Sequence, residues 1–187
     1  DALVGTSLEE LRATASGSDR QPVVGTGSAR RRVQLAELVP GVVFEELRGN
    51  MATRLARADS YDAIVVAAVA LERLGLADRV SEVVSEAMMV PQVGQGALAV
   101  ECRAEDRDTL ERLRAVEDPR SRIAVDAERA FLAVLGGDCS LPTGAHCTVG
   151  VDGLLRLVGV LSPSVPASGV DPGSGGPVQV VREDATG

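Results

Sequence analysis

The chain of 187 residues contains no lysine and no tryptophan, one histidine, His146, and three aromatic residues, Phe44, Tyr61 and Phe131. So few aromatics exclude stacking on bases or sugars as the main mode of recognition. A formal net charge of −8 excludes nonspecific nucleic-acid binding, which rests on neutralising phosphates with a basic surface. The cysteines, Cys102, Cys139 and Cys147, are odd in number and show no Cys-x-x-Cys spacing, and with a single histidine they offer no structural metal site. A reducing cytoplasm is the expected home. Long apolar runs are also missing. The longest, Ala63 to Leu71, falls well short of the roughly 20 residues needed to span a membrane, so no membrane partner is expected. The first residue is Asp1, and no basic stretch followed by an apolar one opens the chain. No signal peptide is read, and the start is expected to be a cut.

What is present suits a folded protein: 45% of the residues are hydrophobic and 25% charged, enough for one large domain or two smaller ones with real cores. From about residue 22 to 96, short β-branched runs alternate with helical patterns, the signature of βαβ units on a mostly parallel sheet. The first unit is the strand Pro22 to Thr26 with a helix from Ser28 to Leu38, ended by Pro40 and Gly41. The second is Val42 to Leu47, then Asn50 as N-cap of a helix through Met51, Leu55 and Ala58. The third is Asp62 to Ala67, apolar enough to be buried on both faces, followed by a helix from Leu71 to Leu76 that closes near Gly75.

Further along, residues 97–102 read as a strand and 105–116 as a charged amphipathic helix with Leu110 and Leu113 inward. A second helix, 121–135, carries Ile123, Ala127, Ala130, Phe131 and Val134 on one face and stops at Gly136-Gly137. Beyond the Asp138-Cys139 loop, two strands, Ala145 to Val151 and Leu154 to Leu161, flank Asp152-Gly153, a hairpin turn. A stretch rich in Pro, Gly and Ser then leads to a last strand, Val178 to Val181. The fold class is therefore α/β for the first part, followed by a small α+β domain.

All 19 basic residues are arginine, and several fall at the ends of the expected strands. Arg30 and Arg31 open the first helix, Arg48 ends the second strand, and Arg54 and Arg73 are expected in the first turns of the next helices. In an open parallel sheet, ligands bind beyond the carboxyl ends of the strands, where helix N-termini offer free N–H groups. Arginine adds paired donors suited to carboxylates. Spacing alone leaves two readings open: a crevice for a small molecule bearing several carboxylates or phosphates, or solvated surface arginines. Gly25-Thr26-Gly27-Ser28 begins like a dinucleotide fingerprint, but the pattern fails at Arg30, and there is no P-loop lysine. Cys139 lies in a glycine-flanked loop that would expose its thiol, although an inert thiol is the default for a lone cysteine. Cys102 and Cys147 read as strand or core residues, and His146 as a hairpin residue without a catalytic partner.

Taken in order, Val24-Gly25-Thr26-Gly27-Ser28-Ala29-Arg30-Arg31, Leu47-Arg48-Gly49-Asn50-Met51-Ala52-Thr53-Arg54-Leu55, Tyr61-Asp62-Ala63-Ile64, Leu71-Glu72-Arg73-Leu74-Gly75-Leu76, Pro91-Gln92-Val93-Gly94-Gln95-Gly96-Ala97 and Gly136-Gly137-Asp138-Cys139 resemble the hydroxymethylbilane synthase (porphobilinogen deaminase) family. The resemblance reaches to about residue 161. It implies a transferase that condenses four porphobilinogen molecules head to tail into linear hydroxymethylbilane, releasing ammonia at each step, in porphyrin and haem biosynthesis. It implies a periplasmic-binding-protein-like α/β domain and, on the small α+β domain, a dipyrromethane cofactor held by a thioether at Cys139. Ser28, Arg30 and Arg31 would bind the cofactor, and Arg48, Arg54, Arg73 and Gln95 the substrate and the polypyrrole intermediates.

By the same resemblance, residues 1–21 are the exit of a first domain and a hinge, 22–96 the second domain, 97–118 a segment that returns to the first domain, and 119–187 a trimmed cofactor-attachment domain. The catalytic Asp of the family belongs to the first domain, so no catalytic residue is assigned in this chain, and the chain alone is expected not to turn over porphobilinogen. The full-length protein is expected to be monomeric. Gly27 and Ala29 replace the usual Ser and Leu of the first motif. Two other readings stay open: a non-catalytic solute- or effector-binding domain of the periplasmic-binding type, and a degenerate fragment in which 97–116 exposes apolar surface.

Overall fold

The computed structural model describes residues 1–136, 141–163 and 181–186, the side chain of Asp184 excepted. Cys139 lies outside the described residues, as do residues 164–180.

Two sheets organise the chain. The first contains β1 (Ala2–Val4), β2 (Val23–Gly25), β3 (Val43–Glu45), β4 (Ala63–Val66) and β5 (Glu82–Val83) in the order β3-β2-β4-β1-β5. All four residues of β4 are buried, as a strand covered on both faces requires. Its alternate side chains feed two cores. Ala63 and Val65 join Leu3, Leu8, Leu11, Val24, Leu35 and Phe44 on one side, while Ile64 and Val66 join Val4, Leu47, Leu55, Tyr61 and Leu71 on the other.

The helices between the strands cover both faces. They are α1 (Leu8–Gly17), α2 (Ala29–Leu38), α3 (Met51–Ala56) and α4 (Ala68–Arg73). Three of them open on side-chain caps that satisfy free N–H groups. Ser7 and Glu10 form a capping box on α1, Ser28 accepts from the Arg31 amide on α2, and Asn50 accepts from the Thr53 amide on α3.

The sheet is mixed rather than mostly parallel. β2 runs parallel to β3 and β4, but β1 lies between β4 and β5 and is antiparallel to both. Residues 1–21, expected as an exit and hinge, thus supply a buried inner strand and a packed helix to this sheet. The stretch 97–102 forms no strand: among the described residues no neighbouring strand pairs with it, and Leu98 and Val100 are 78% and 68% exposed.

Beyond it come α5 (Arg107–Val116) and α6 (Pro119–Val134), with Pro119 in the first turn of α6, where its missing N–H costs nothing. Leu110 and Leu113 on α5 are only half-buried. The second sheet is antiparallel, with β6 (Thr143–Val149), β7 (Leu155–Leu161) and β8 (Val181–Thr186) in sequence order, and β6 and β7 flank the expected Asp152-Gly153 turn. The packed face of α6 differs from the expected one. Ile123, Ala130 and Val134 face solvent, the last 88% exposed. Phe131 packs under β7, where a Cβ on Gly159 would lie 2.7 Å from its ring. The buried residue of the helix is a carboxylate, Glu128. A hydrophobicity pattern cannot anticipate a charged residue on the packed face.

Candidate functional site

The opening of α2 gathers most of the expected site. Ser28 caps the helix, and Gly27, Ser28, Ala29, Arg31, Leu47, Arg48 and Arg54 line an open groove of about 700 Å³. The groove sits where β2 and β3 end, so the loop after each strand contributes to it. Arg48 is 83% exposed at the mouth. Arg54 is held by its own loop, its Nε donating to the Gly49 carbonyl at 2.8 Å. Burial, and secondarily the charge of Arg31, depress the pKa of Arg54. Two guanidiniums therefore face the same space, and a ligand carboxylate would relieve their repulsion.

Arg31 reaches the groove from a buried position. Its Nη2 donates to Asp1 Oδ1 at 2.7 Å and its Nη1 to the Val65 carbonyl at 3.1 Å. Arg30 turns away from the groove altogether. It is 2% exposed, with Nη1 2.8 Å from Asp1 Oδ2 and 2.7 Å from the Val90 carbonyl. Burial brings the pKa of Arg30 down to about 9, helped by the charge of Arg31, and burial alone brings Arg31 to about 10. Both remain cations at neutral pH, so the single carboxylate of Asp1 is shared between two charges.

Gln95 closes this network. Its Nε2 donates to Asp1 Oδ1 at 3.1 Å and its Oε1 accepts from Arg30 at 3.4 Å. Arg73 is not brought into the groove. It is the last residue of α4 rather than part of a first turn, because that helix begins at Ala68, and it donates to the Gly96 carbonyl at 2.6 Å. Ser28, Arg31, Arg48 and Arg54 thus share one cavity, Arg30 and Gln95 support it from behind through Asp1, and Arg73 braces the loop that carries Gln95.

Sequence reasoning missed three carboxylates. Asp1 is the buried hub of the network. Glu46 pairs with Arg48 and with Arg32, whose Nη2 lies 2.5 Å from Glu46 Oε2. Glu128 accepts from the amides of Gly94 at 2.7 Å and Cys147 at 2.8 Å, and His146 Nδ1 lies 3.7 Å from it. Glu46, two residues before Arg48, was findable from charge alternation alone. Asp1 and Glu128 carried no local signal.

A family profile described as porphobilinogen deaminase, dipyromethane cofactor binding domain, matches residues 1–111, more than half of the chain. The chain belongs to the porphobilinogen deaminase family. A second profile, the porphobilinogen deaminase C-terminal domain, matches residues 122–164. Among curated porphobilinogen deaminases, that of Roseiflexus sp. strain RS-1 is 46% identical over 157 residues, covering 83% of this chain and 50% of the relative. The Synechococcus elongatus protein is 46% identical over 143 residues, covering 75% and 44%, and the Brevibacillus brevis protein 41% identical over 159 residues, covering 84% and 49%. The chain spans about half the length of the porphobilinogen deaminases it matches. The arginine groove with its Ser28 cap, and Asp1 behind it, fall within the segment that matches the cofactor-binding domain.

Among the described residues, no group of His, Cys, Asp and Glu is arranged to hold a metal, and no helix is long and apolar enough to cross a membrane.

Proposed function

We propose that this protein acts as a hydroxymethylbilane synthase, condensing four porphobilinogen molecules head to tail into linear hydroxymethylbilane with loss of ammonia at each step, in tetrapyrrole biosynthesis. The observation that carries the reading is the groove at the start of α2, where Arg31, Arg48 and Arg54 converge beside the Ser28 cap. Each pyrrole ring of porphobilinogen and its oligomers bears an acetate and a propionate. Closely set guanidiniums, held by backbone and carboxylate partners, suit such a ligand because each presents paired N–H donors in a fixed plane.

The same donors fit a dipyrromethane. In this reading Cys139 holds it through a thioether, and Ser28 and Arg31 bind its carboxylates. Arg48 and Arg54 take those of the incoming substrate. Arg30 and Gln95 fix Asp1, which fixes Arg31, and Arg73 holds the Gln95 loop. When bound, the cofactor supplies the primer from which the pyrrole chain grows. The groove residues bind and orient carboxylates. None of Ser28, Arg31, Arg48 and Arg54 carries a carboxyl or imidazole group that could move protons at a pyrrole nitrogen, so turnover is proposed to draw on the half of the relatives that this chain does not match.

The mixed sheet with helices on both faces supports a periplasmic-binding-protein-like α/β domain that takes in residues 22–96 together with the strand and helix of residues 1–21, joined by the 97–118 segment to a cofactor-attachment domain over 119–187. Free Cys102 and Cys147 suit a reducing cytoplasm. A binding-only module assigns Cys139 no role and is not favoured by relatives named as deaminases.

Calorimetric titration of the purified chain with porphobilinogen tests the reading. Saturable binding is expected, weakened about tenfold or more by Arg48→Gln or Arg54→Gln, the cost of losing one hydrogen bond to a charged group. No binding by the unsubstituted chain would contradict it.

A further inference from the structure

Glu46 is the carboxylate at the groove that the proposed function leaves without a task. Its two oxygens are used differently. Oε2 lies 2.5 Å from Arg32 Nη2, and the Arg32 side chain is only 10% exposed and donates to the Thr26 carbonyl as well. That end is anchored. Oε1 accepts from Arg48 Nε, and Glu46 is the only partner of Arg48 among the described residues.

The carboxylate also reaches the groove lining itself. A Cβ on Gly27 would lie 3.0 Å from Glu46 Oε1 and 3.5 Å from Arg48 Cγ, so the glycine leaves the space that the carboxylate fills. The Arg48 hydrogen bond is the main cause that holds the Glu46 carboxyl below its ordinary pKa, which keeps the group ionised.

We infer that Glu46 is an internal carboxylate ligand of the groove, which occupies the Nε of Arg48 and competes with an incoming carboxylate for that edge of the guanidinium. This rests on reading the groove as a polycarboxylate site. Because Glu46 is tethered beside Arg48, its effective concentration exceeds that of any free monocarboxylate, and exchanging one carboxylate for another at a single arginine gains little. A ligand already held by a second carboxylate at Arg31 or Arg54 meets the tethered competitor on equal terms. Glu46 thus reserves Arg48 for ligands that present several carboxylates.

The test is calorimetric titration of the full chain with citrate, a tricarboxylate, comparing the unsubstituted protein with Glu46→Gln, Arg48→Gln and the double variant. Glu45→Gln serves as a control for net charge. Removing an exposed pair and its charge is expected to tighten citrate binding about three- to tenfold in Glu46→Gln. The gain should fall below about twofold when Arg48 is already Gln, and in Glu45→Gln. A role limited to supporting Arg32 would weaken binding instead. The inference is overturned by unchanged or weaker binding in Glu46→Gln, by a gain that persists undiminished without Arg48, or by no citrate binding in either protein. The substrate is tested apart from this: tighter citrate binding together with silence towards porphobilinogen would keep the role of Glu46 and remove the proposed substrate.

Discussion

Glu128 on α6 accepts a hydrogen bond from the Gly94 amide at 2.7 Å, across 34 positions of sequence. The bond joins two parts of the chain that carry different elements of the proposed site. Gln95, next to Gly94, donates to Asp1, and Asp1 holds Arg31 at the groove. Through its other oxygen Glu128 accepts from the Cys147 amide on β6. One buried carboxylate therefore ties the antiparallel sheet to the loop behind the arginines. Glu128→Ala leaves two amides without partners and is expected to lower the unfolding free energy by about 2–6 kcal/mol, from about 1–3 kcal/mol per unsatisfied buried group. Glu128→Gln, which keeps one good acceptor, should fall between the two. Urea unfolding midpoints at neutral pH measure both.

Gly144 on β6 supports the same joint. A Cβ there would intrude on the Pro91 carbonyl oxygen, and would lie 2.9 Å from Arg30 Cδ and 3.0 Å from the Val90 carbonyl oxygen. Backbone cannot yield as a flexible side-chain tip can. Gly144→Ala is expected to destabilise by about 1–3 kcal/mol, as overpacking does, and to speed hydrogen exchange at the Gly94 amide. A variant of unchanged thermal stability would show that β6 does not press on this loop.

The arginines should separate by experiment into structural and ligand-facing groups. Arg30, 2% exposed and paired with Asp1, belongs to a buried charge network in which losing one partner costs about 3–5 kcal/mol. Arg30→Gln is expected to lose that much stability. Arg48→Gln, at an exposed position, should stay within about 0.5 kcal/mol of the parent, its loss appearing in carboxylate binding. Thermal unfolding beside calorimetry reads both quantities.

Asp62 links Arg20 to the start of β2, with Oδ1 2.6 Å from Arg20 Nη2 and Oδ2 accepting from the Val23 amide at 2.8 Å. The Arg20 hydrogen bond is the largest cause lowering its pKa; burial opposes it, and the Val23 amide and the Arg20 charge add to the lowering. A carboxyl whose pKa is lower in the folded state contributes stability above its unfolded value, near about pH 4, and loses it as the pH falls through the folded value. The parent should therefore lose stability relative to Asp62→Asn below about pH 4, with the difference between them constant near neutrality. For a partly exposed pair that difference is about 1 kcal/mol or less. Denaturation series at several pH values would show it, and a parent–variant difference independent of pH would contradict it.

Much of the α/β framework was legible because its causes are local. Asn50 was readable as a cap because its side chain acts three residues away, on the Thr53 amide. β4 was readable because four consecutive apolar residues suit a strand covered on both faces. The Asp152-Gly153 turn was readable because adjacent strands need that geometry. The antiparallel placement of β1 was not legible, since its ladder pairs Leu3 with Val65, a contact that no periodicity encodes. The same holds for Asp1 and Glu128, whose partners lie far along the chain. The 97–102 segment misled because β-branched and apolar residues promise a strand only where another strand can receive it.

The central claim, that Cys139 carries the dipyrromethane served by the arginine groove, is tested most directly by intact mass. The chain would be produced in cells that make porphobilinogen, together with the N-terminal half of a family member, and compared with Cys139→Ser. An added dipyrromethane mass in the parent that vanishes in the variant is the expected result. An unmodified parent, or an adduct that survives Cys139→Ser, would contradict the claim.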